Sequence, residues 1–324
     1  MNKINKILAA VAILGLGIVA ARIGRDGIVR QFTAIFTVLP MLAALGLART
    51  ILQTLAWSNA LRAEGIGAGF FELLAARVCS RGVGYLSVLG PMVAEPLRIG
   101  MLRHRSEAAT AATLIDTGVY WFSSGVFAIA GSLCALRFLG GAHTGALLVP
   151  AALTLAGLLL IARPKPVLPA LVRALGRRCP KSMTKAVEVE AAIRDFQARH
   201  PRSMRSILAL DLACQLLIAA EVVVILVWFQ IPFSAGTILA LEAANRVVRM
   251  MGSLVPARIG TDESGMAAAF LAFGLPTASG VALALARRTR DLLEACLGIA
   301  WFSWTSRRPR RRCATLPGAR LASA

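Results

Sequence analysis

The sequence predicts an all-α membrane protein whose chain crosses the bilayer several times. Of its 324 residues, 57% are hydrophobic and 16% are charged, and the mean hydropathy is +0.69, whereas a soluble domain has about 45–50% apolar residues. Several apolar windows of roughly 18 to 25 residues are long enough to cross a hydrocarbon core about 30 Å thick. These windows are continuous rather than alternating, which favours helices over a β-barrel.

The first half of the chain, residues 1–162, is predicted to contain four simple spans. An uncleaved N-terminal helix is the first, since no small-residue cleavage site followed by a hydrophilic region comes after it. A short amphipathic connector with Arg49, Trp57 and Arg62 follows the second span. The four predicted spans are 6–23, 28–47, 108–136 and 146–161.

Residues 66–102 are too long for one span and contain the interruption GVGYLSVLGPMVAEP. If Arg62 and Arg103 both lie in the cytoplasm, the segment between them must enter and leave the membrane on the same face. The sequence therefore predicts a helical hairpin or re-entrant loop with a break at Pro91.

A basic linker, residues 163–206, separates the two halves. Its segment 163–205 contains eleven Lys or Arg and three Asp or Glu, which indicates a cytoplasmic location by the positive-inside rule. The basic tail, 305–324, is expected on the same side, so both termini are predicted to be cytoplasmic in a bacterial inner membrane. Part of the linker, 181–200, is either a surface helix or a solvated connection.

The second half, residues 207–304, repeats the plan of the first with opposite orientation. Spans are predicted at 207–229, 235–254 and 277–304, and an irregular piece, 257–276, follows a break at Pro256. This second hairpin opens to the opposite face. The whole chain is then a single transmembrane domain built as an inverted repeat, an arrangement typical of transporters with a site near the bilayer midplane.

Charged side chains within the apolar windows are the candidate functional residues. Each costs about 2.5–3.5 kcal/mol at a helix centre unless it is paired or hydrated, so none is expected to face lipid. The predicted substrate pathway consists of Arg77, Arg81, Glu95, Arg98, Asp116, Glu242, Arg246, Arg249, Arg258, Asp262, Glu263, Arg287, Asp291 and Glu294.

Helical spacing predicts how these charges pair. Two rows with opposite signs occur at i, i+4 and i+7 on the helices at 235–254 and 277–304. The same reasoning pairs Arg77 with Asp116 in the first half. The predicted pairs of the second half are Glu242 with Arg287, Arg246 with Asp291, and Arg249 with Glu294.

Several residues outside this set have weaker predicted roles. An interfacial aromatic belt is expected from Trp57, Tyr85, Trp121, Trp228, Trp301 and Trp304. Asp211 is expected at the interface near the cytoplasmic end of its helix, and Glu221 lies deeper on the same helix.

Two segments resemble a known family. The segment NRVVRMMGSLVPARIGTDESGMAAAFLAFGLP, followed by SGVALALARRTRDLLEACLGIAWF, and more loosely GYLSVLGPMVAEPLRIGMLR, are similar to the transmembrane, flippase-like region of lysylphosphatidylglycerol synthases, a family that includes hopanoid-associated members. The resemblance covers roughly residues 70–304 and implies lipid transport. Arg258 and Ile259 depart from it, because the family is usually glycine-rich there, and no aminoacyltransferase domain follows the last helix.

Three functions are compatible with these patterns. The first is a translocator of a lipid or lipid-linked head group, with membrane lipids as its partners. The second is a membrane-embedded enzyme or accessory subunit of lipid biosynthesis, with Glu95, Asp262 and Glu263 as acid and base candidates. The third is an assembly protein that recruits lipid-biosynthesis enzymes through its basic segments.

The sequence contains no signal for a cofactor, a metal site or a nucleic-acid partner. The six cysteines have no metal-ligand spacing and the three histidines are isolated. The net charge of +20 is concentrated between the apolar windows and in the tail rather than on a soluble face. Head-group chemistry, coupling ion and oligomeric state are not determined by the sequence.

Overall fold

The computed structural model describes residues 36–86, 91–102, 106–136, 191, 193–252, 258 and 260–307. Within these ranges the chain is helical and has no strand, which confirms the all-α class. Residues 193–199 form a short helical segment before α5. The longer helices are α1 (Phe36–Ala63), α2 (Phe70–Leu86), α3 (Pro91–Gly100), α4 (Glu107–Ala135), α5 (Pro201–Trp228), α6 (Ala235–Met251), α7 (Thr261–Ala272) and α8 (Thr277–Arg307).

Three helices, α1, α4 and α5, are long and apolar enough to cross a membrane. Helices α4 and α5 correspond to the spans predicted at 108–136 and 207–229. The spans predicted at 6–23 and 146–161 lie outside the described residues. Helix α8 has 31 residues and the length for a crossing, but its middle carries the charged row at 287–294 and it is not one of the three.

Helix α1 corrects the prediction for its region. It continues without a break to Ala63, so the residues expected to form a connector are its second half. Small polar side chains are accommodated within the helix, since Thr54 Oγ1 donates to the Thr50 carbonyl at 2.7 Å. The buried face of this half includes Ala56, Trp57 and Leu61, and burial of that face outweighs the polar residues that suggested a connector.

The short segment 193–199 packs against the protein. Its Ile193 and Phe196 are buried in the same apolar cluster as Trp57 and Ile207. Of the two alternatives for 181–200, the described part therefore forms a helix with an apolar face. That face is buried in the protein.

Local sequence signals fix several helix starts. Ser106 accepts a hydrogen bond from the Ala109 amide at 3.1 Å and caps α4, and Ser234 caps α6 in the same way. Gly260 caps the start of α7, and its φ of 80° is a left-handed conformation that favours glycine. The Gly260 amide donates to the Glu263 carboxylate at 2.9 Å.

Helix boundaries flank both predicted breaks, with Pro91 as the first residue of α3 and Pro256 outside the described residues. Helix α2 ends at Leu86 and α3 begins at Pro91, and the two pack against each other. Helix α6 ends at Met251 and α7 begins at Thr261, on either side of the break expected at Pro256. Helices α2 and α6 have 17 residues each, which is short for a full crossing. The re-entrant geometry and the inverted repeat stay predictions.

Each half of the chain contributes a helix that packs against a helix of the other half. Helix α2 of the first half packs along α8 of the second, and α6 of the second half packs along α4 of the first. Glycines allow close approach in both interfaces. A Cβ at Gly298 would lie 2.5 Å from the Val78 carbonyl oxygen, and a Cβ at Gly131 would lie 2.8 Å from the Leu239 carbonyl carbon. Larger residues at these positions would push the helices apart.

Candidate functional site: two clusters of buried ions

The first cluster consists of Arg77, Arg98 and Asp116, with Trp57 beside them. Asp116 Oδ2 accepts hydrogen bonds from Arg77 Nη2 at 2.7 Å and from Arg98 Nη2 at 2.9 Å. The predicted contact between Arg77 and Asp116 is thus confirmed, and Arg98 joins it as a second cation. All three charged side chains are less than 10% exposed. One carboxylate therefore forms ion pairs with two guanidinium groups, and all three groups are buried.

Trp57 supports the first cluster instead of lying in an interfacial belt as predicted. It is fully buried, and its ring centroid lies 4.4 Å from the Arg98 guanidinium carbon and 5.6 Å from that of Arg77. Its indole nitrogen donates to Thr113 Oγ1 at 3.0 Å. The negative face of the ring offsets part of the excess positive charge.

Asp211 on α5 is a buried acid close to the first cluster. It is 1% exposed, although the sequence predicted an interfacial position, and it interacts electrostatically with Asp116 and Arg77. Neither of its carboxylate oxygens has a hydrogen-bond partner among the described residues. A polar group buried without a partner costs free energy, so Asp211 is a point of weakness next to a well-bonded cluster.

The second cluster is built around α8. Arg287 binds two acids, Glu221 Oε2 at 2.8 Å and Glu242 Oε1 at 2.6 Å. Arg290 binds Glu221 and, at 2.8 Å, Asp291 Oδ1. These contacts link α5, α6 and α8 through side chains that are mostly below 6% exposed.

The same cluster continues outward to a partly exposed rim. Asp291 Oδ2 is 3.0 Å from Arg249 Nη2 and 3.9 Å from Arg258 Nη2, and Arg258 also pairs with Asp262 at 3.5 Å. Side-chain exposure is 32% for Arg249, 20% for Arg258 and 14% for Asp291. A chain of alternating charges thus runs from the closed interior to side chains that are partly exposed.

Of the three pairs predicted between α6 and α8, one is confirmed and two are wrong. Glu242 binds Arg287 as expected. Arg249 binds Asp291 rather than Glu294. Arg246 turns away and donates to Gln215 Oε1 at 2.8 Å and to Ser124.

The physical reason is the helix arrangement. Helix α7 packs against both α6 and α8, so these two do not run side by side. Glu242 and Arg249 lie seven residues apart on α6, whereas their partners Arg287 and Asp291 lie four residues apart on α8. The two rows therefore lose register after the first contact.

The remaining predicted residues are dispersed. Arg81 donates to Thr50 Oγ1 at 3.0 Å, and Glu95 interacts electrostatically with Arg98 of the first cluster. Glu294 lies 3.9 Å from Arg290. Glu263 is fully buried, binds Arg288 and accepts from the Gly260 amide, so this acid candidate also holds the start of α7.

The predicted substrate pathway did not include Arg290, and Glu221 was given only a weaker role. Arg290 is 2% exposed and lies three residues after Arg287, so the two side chains share a helix face. That spacing was the available signal. Nothing in the sequence of α5 indicated that Glu221 would receive both arginines, because this depends on how α5 and α8 cross.

In the described part of the chain, no three His, Cys, Asp or Glu side chains come together in a way that could hold a metal ion. Comparison with protein-family models, with curated proteins and with solved structures gives no match to this chain. The family resemblance of the sequence therefore stays a prediction, and the two ion clusters are the observations on which a function can be based.

Proposed function

We propose that this protein is a multi-pass translocator of a lipid or lipid-linked head group in the bacterial inner membrane, with both termini in the cytoplasm. The observation that carries the proposal is the second cluster, a continuous chain of ion pairs from the buried Glu221 to the partly exposed Arg249. Charges at membrane depth are costly, and they often mark the route of a substrate or ion.

The composition of the rim suits an anionic or zwitterionic head group. Arg249 and Arg258 both approach Asp291, so a phosphate entering there could replace the carboxylate as the partner of either guanidinium. Arginine binds phosphate with paired, parallel hydrogen bonds. Asp291 would then be released toward Arg290, which already binds its other oxygen at 2.8 Å.

The packing of a short helix of each half on the other half is the basis for a proposed movement. Because α2 packs on α8 and α6 on α4, each half contributes a short helix to the other. Rocking of one half against the other would change the access to the second cluster from one face of the bilayer to the other, as in transporters with inverted repeats.

The test is lipid movement in liposomes made with the purified full-length protein. Lipids carrying a fluorescent head group are reconstituted with wild type, Arg249→Gln or Arg205→Gln, and exposure of the label to an external quencher is followed over time. We expect wild type to move an anionic lipid and Arg249→Gln to be at least about tenfold slower, the effect of losing about 1.4 kcal/mol. Arg205, an exposed arginine on α5, is the matched control and should leave the rate unchanged.

An Arg249→Lys variant separates charge from geometry. Lysine retains the positive charge but lacks the planar fork, so an intermediate rate is expected. Absence of movement by wild type for anionic, zwitterionic and polyprenyl-linked lipids would contradict the proposal, as would an Arg249→Gln rate equal to that of wild type.

A further inference from the structure

A shallow, open cleft lies apart from both ion clusters, where the C-terminal end of α1 meets the first turns of α5. Its volume is about 370 Å³. No member of either cluster lines it. The lining residues are Asn59, Arg62, Ala63, Arg202, Ser203 and Ser206.

The two arginines of this cleft have no acidic partner among the described residues. The nearby acids are already occupied, since Glu64 and Asp195 both bind Arg199, at 3.2 Å and 2.7 Å. Arg62 and Arg202 are exposed. Two exposed arginines therefore line the same space, and neither is paired with an acid in the described part of the chain.

The other lining groups also suit an anion. Asn59 Nδ2 donates to Ser206 Oγ at 3.0 Å, which leaves the hydroxyl hydrogen of Ser206 free to donate into the cleft. Ser203 adds a second hydroxyl. These two hydroxyl groups and two guanidinium groups form a site rich in donors, which matches the oxygens of a phosphate group.

The position of the cleft indicates where that phosphate comes from. Helices α1 and α5 are both apolar and long enough to cross a membrane, and the cleft is at the end of one and the beginning of the other. The ends of such helices lie at the level of lipid head groups. A phosphate at this level that is joined to acyl chains in the adjacent bilayer would fill the cleft without crossing an apolar barrier.

We propose that this cleft binds the phosphate of an anionic glycerophospholipid at one face of the membrane. The site goes beyond translocation, because its residues contribute to neither ion cluster. A lipid held there ties the end of α1 to the beginning of α5. A loss of lipid binding at this cleft does not test lipid movement through the second cluster, which is measured separately in liposomes.

The test measures lipid retention by native mass spectrometry of the full-length protein in neutral detergent, titrated with phosphatidylglycerol, phosphatidylcholine or inorganic phosphate. We expect phosphatidylglycerol to be retained by wild type and roughly 30-fold less tightly by Arg62→Ala/Arg202→Ala, from the contribution of each basic residue near an anionic surface. Arg205→Ala removes an exposed arginine of α5 that does not line the cleft, and it should bind like wild type.

The three titrated ligands distinguish the phosphate of an anionic lipid from that of a zwitterionic lipid and from free phosphate. Weak retention of phosphatidylcholine and of inorganic phosphate supports a lipid site, whereas inorganic phosphate that binds as tightly as phosphatidylglycerol overturns the lipid assignment. Equal retention of phosphatidylglycerol by wild type and the double alanine variant overturns the site. A double lysine variant, Arg62→Lys/Arg202→Lys, keeps the charge and should recover most of the binding, which excludes misfolding as the cause of the loss.

Discussion

The two ion clusters of this protein have similar residues and different access. In the first, Asp116 binds two arginines and every charged side chain is less than 10% exposed. In the second, the ion pairs continue from a core of similar burial to Arg249, which is 32% exposed. A closed cluster can hold helices together but cannot receive a ligand, whereas an open one can exchange its partners. We therefore expect mutations in the first cluster to lower stability and mutations at the rim of the second to lower transport.

The largest effect on stability is expected for Asp116→Asn. This change removes the carboxylate shared by Arg77 and Arg98 and leaves two buried cations without it, and breaking a buried pair in this way costs about 3–5 kcal/mol. The measurement is the free energy of unfolding of purified protein in mixed micelles. Asp195→Asn is the control, because it breaks an exposed pair with Arg199. Equal stability of the two variants would show that the closed cluster is not a structural element.

Glu221→Gln is expected to have an intermediate effect, about 1.5–3 kcal/mol, the range for a hydrogen bond to a charged group. The cost is smaller than for Asp116 because Arg287 retains Glu242 and Arg290 retains Asp291. The same unfolding measurement applies. Adding Glu242→Gln should cost more than the sum of the single changes, since the two acids share Arg287. Strict additivity would argue against the shared partner.

Asp211→Leu is expected to raise stability by about 1–2 kcal/mol. Its carboxylate is buried without a hydrogen bond, so an apolar side chain removes a desolvation cost without breaking a bond. Thermal unfolding in detergent is measured for Asp211→Leu and, in parallel, for Asp116→Leu. The pair compares an acid without a hydrogen bond with a hydrogen-bonded acid in the same region. A lower stability of Asp211→Leu would mean that this acid is bonded to water or to a residue outside the described ranges.

The smallest effect on stability is expected for Arg249→Gln. The Arg249 side chain is partly exposed and Asp291 retains Arg290 after the change, so the cost should lie near the range of about 0–1 kcal/mol that surface ion pairs contribute. The free energy of unfolding should therefore stay within about 1 kcal/mol of wild type while lipid movement falls. A large loss of stability would make the rim a structural element like the first cluster and would remove the contrast between the two.

The sequence could predict which helices carry the site and the first contact in each cluster. Arg77 with Asp116 and Glu242 with Arg287 both follow from depth along a helix, which residue spacing determines. The later contacts of the α6 row depend on the crossing of helices, and here α7 packs between α6 and α8. The burial of Trp57 has the same origin, because only the fold places Arg98 over its ring.

The exchange of helices between the halves has a consequence for biogenesis. Cys79 on α2 donates to the carbonyl of Gly298 on α8 at 3.0 Å, a contact between residues 219 positions apart. During synthesis, α2 emerges long before the helix that covers it, and contacts at this separation form slowly. The face of α2 that packs on α8 therefore stays uncovered until the C-terminal part of the chain has been made.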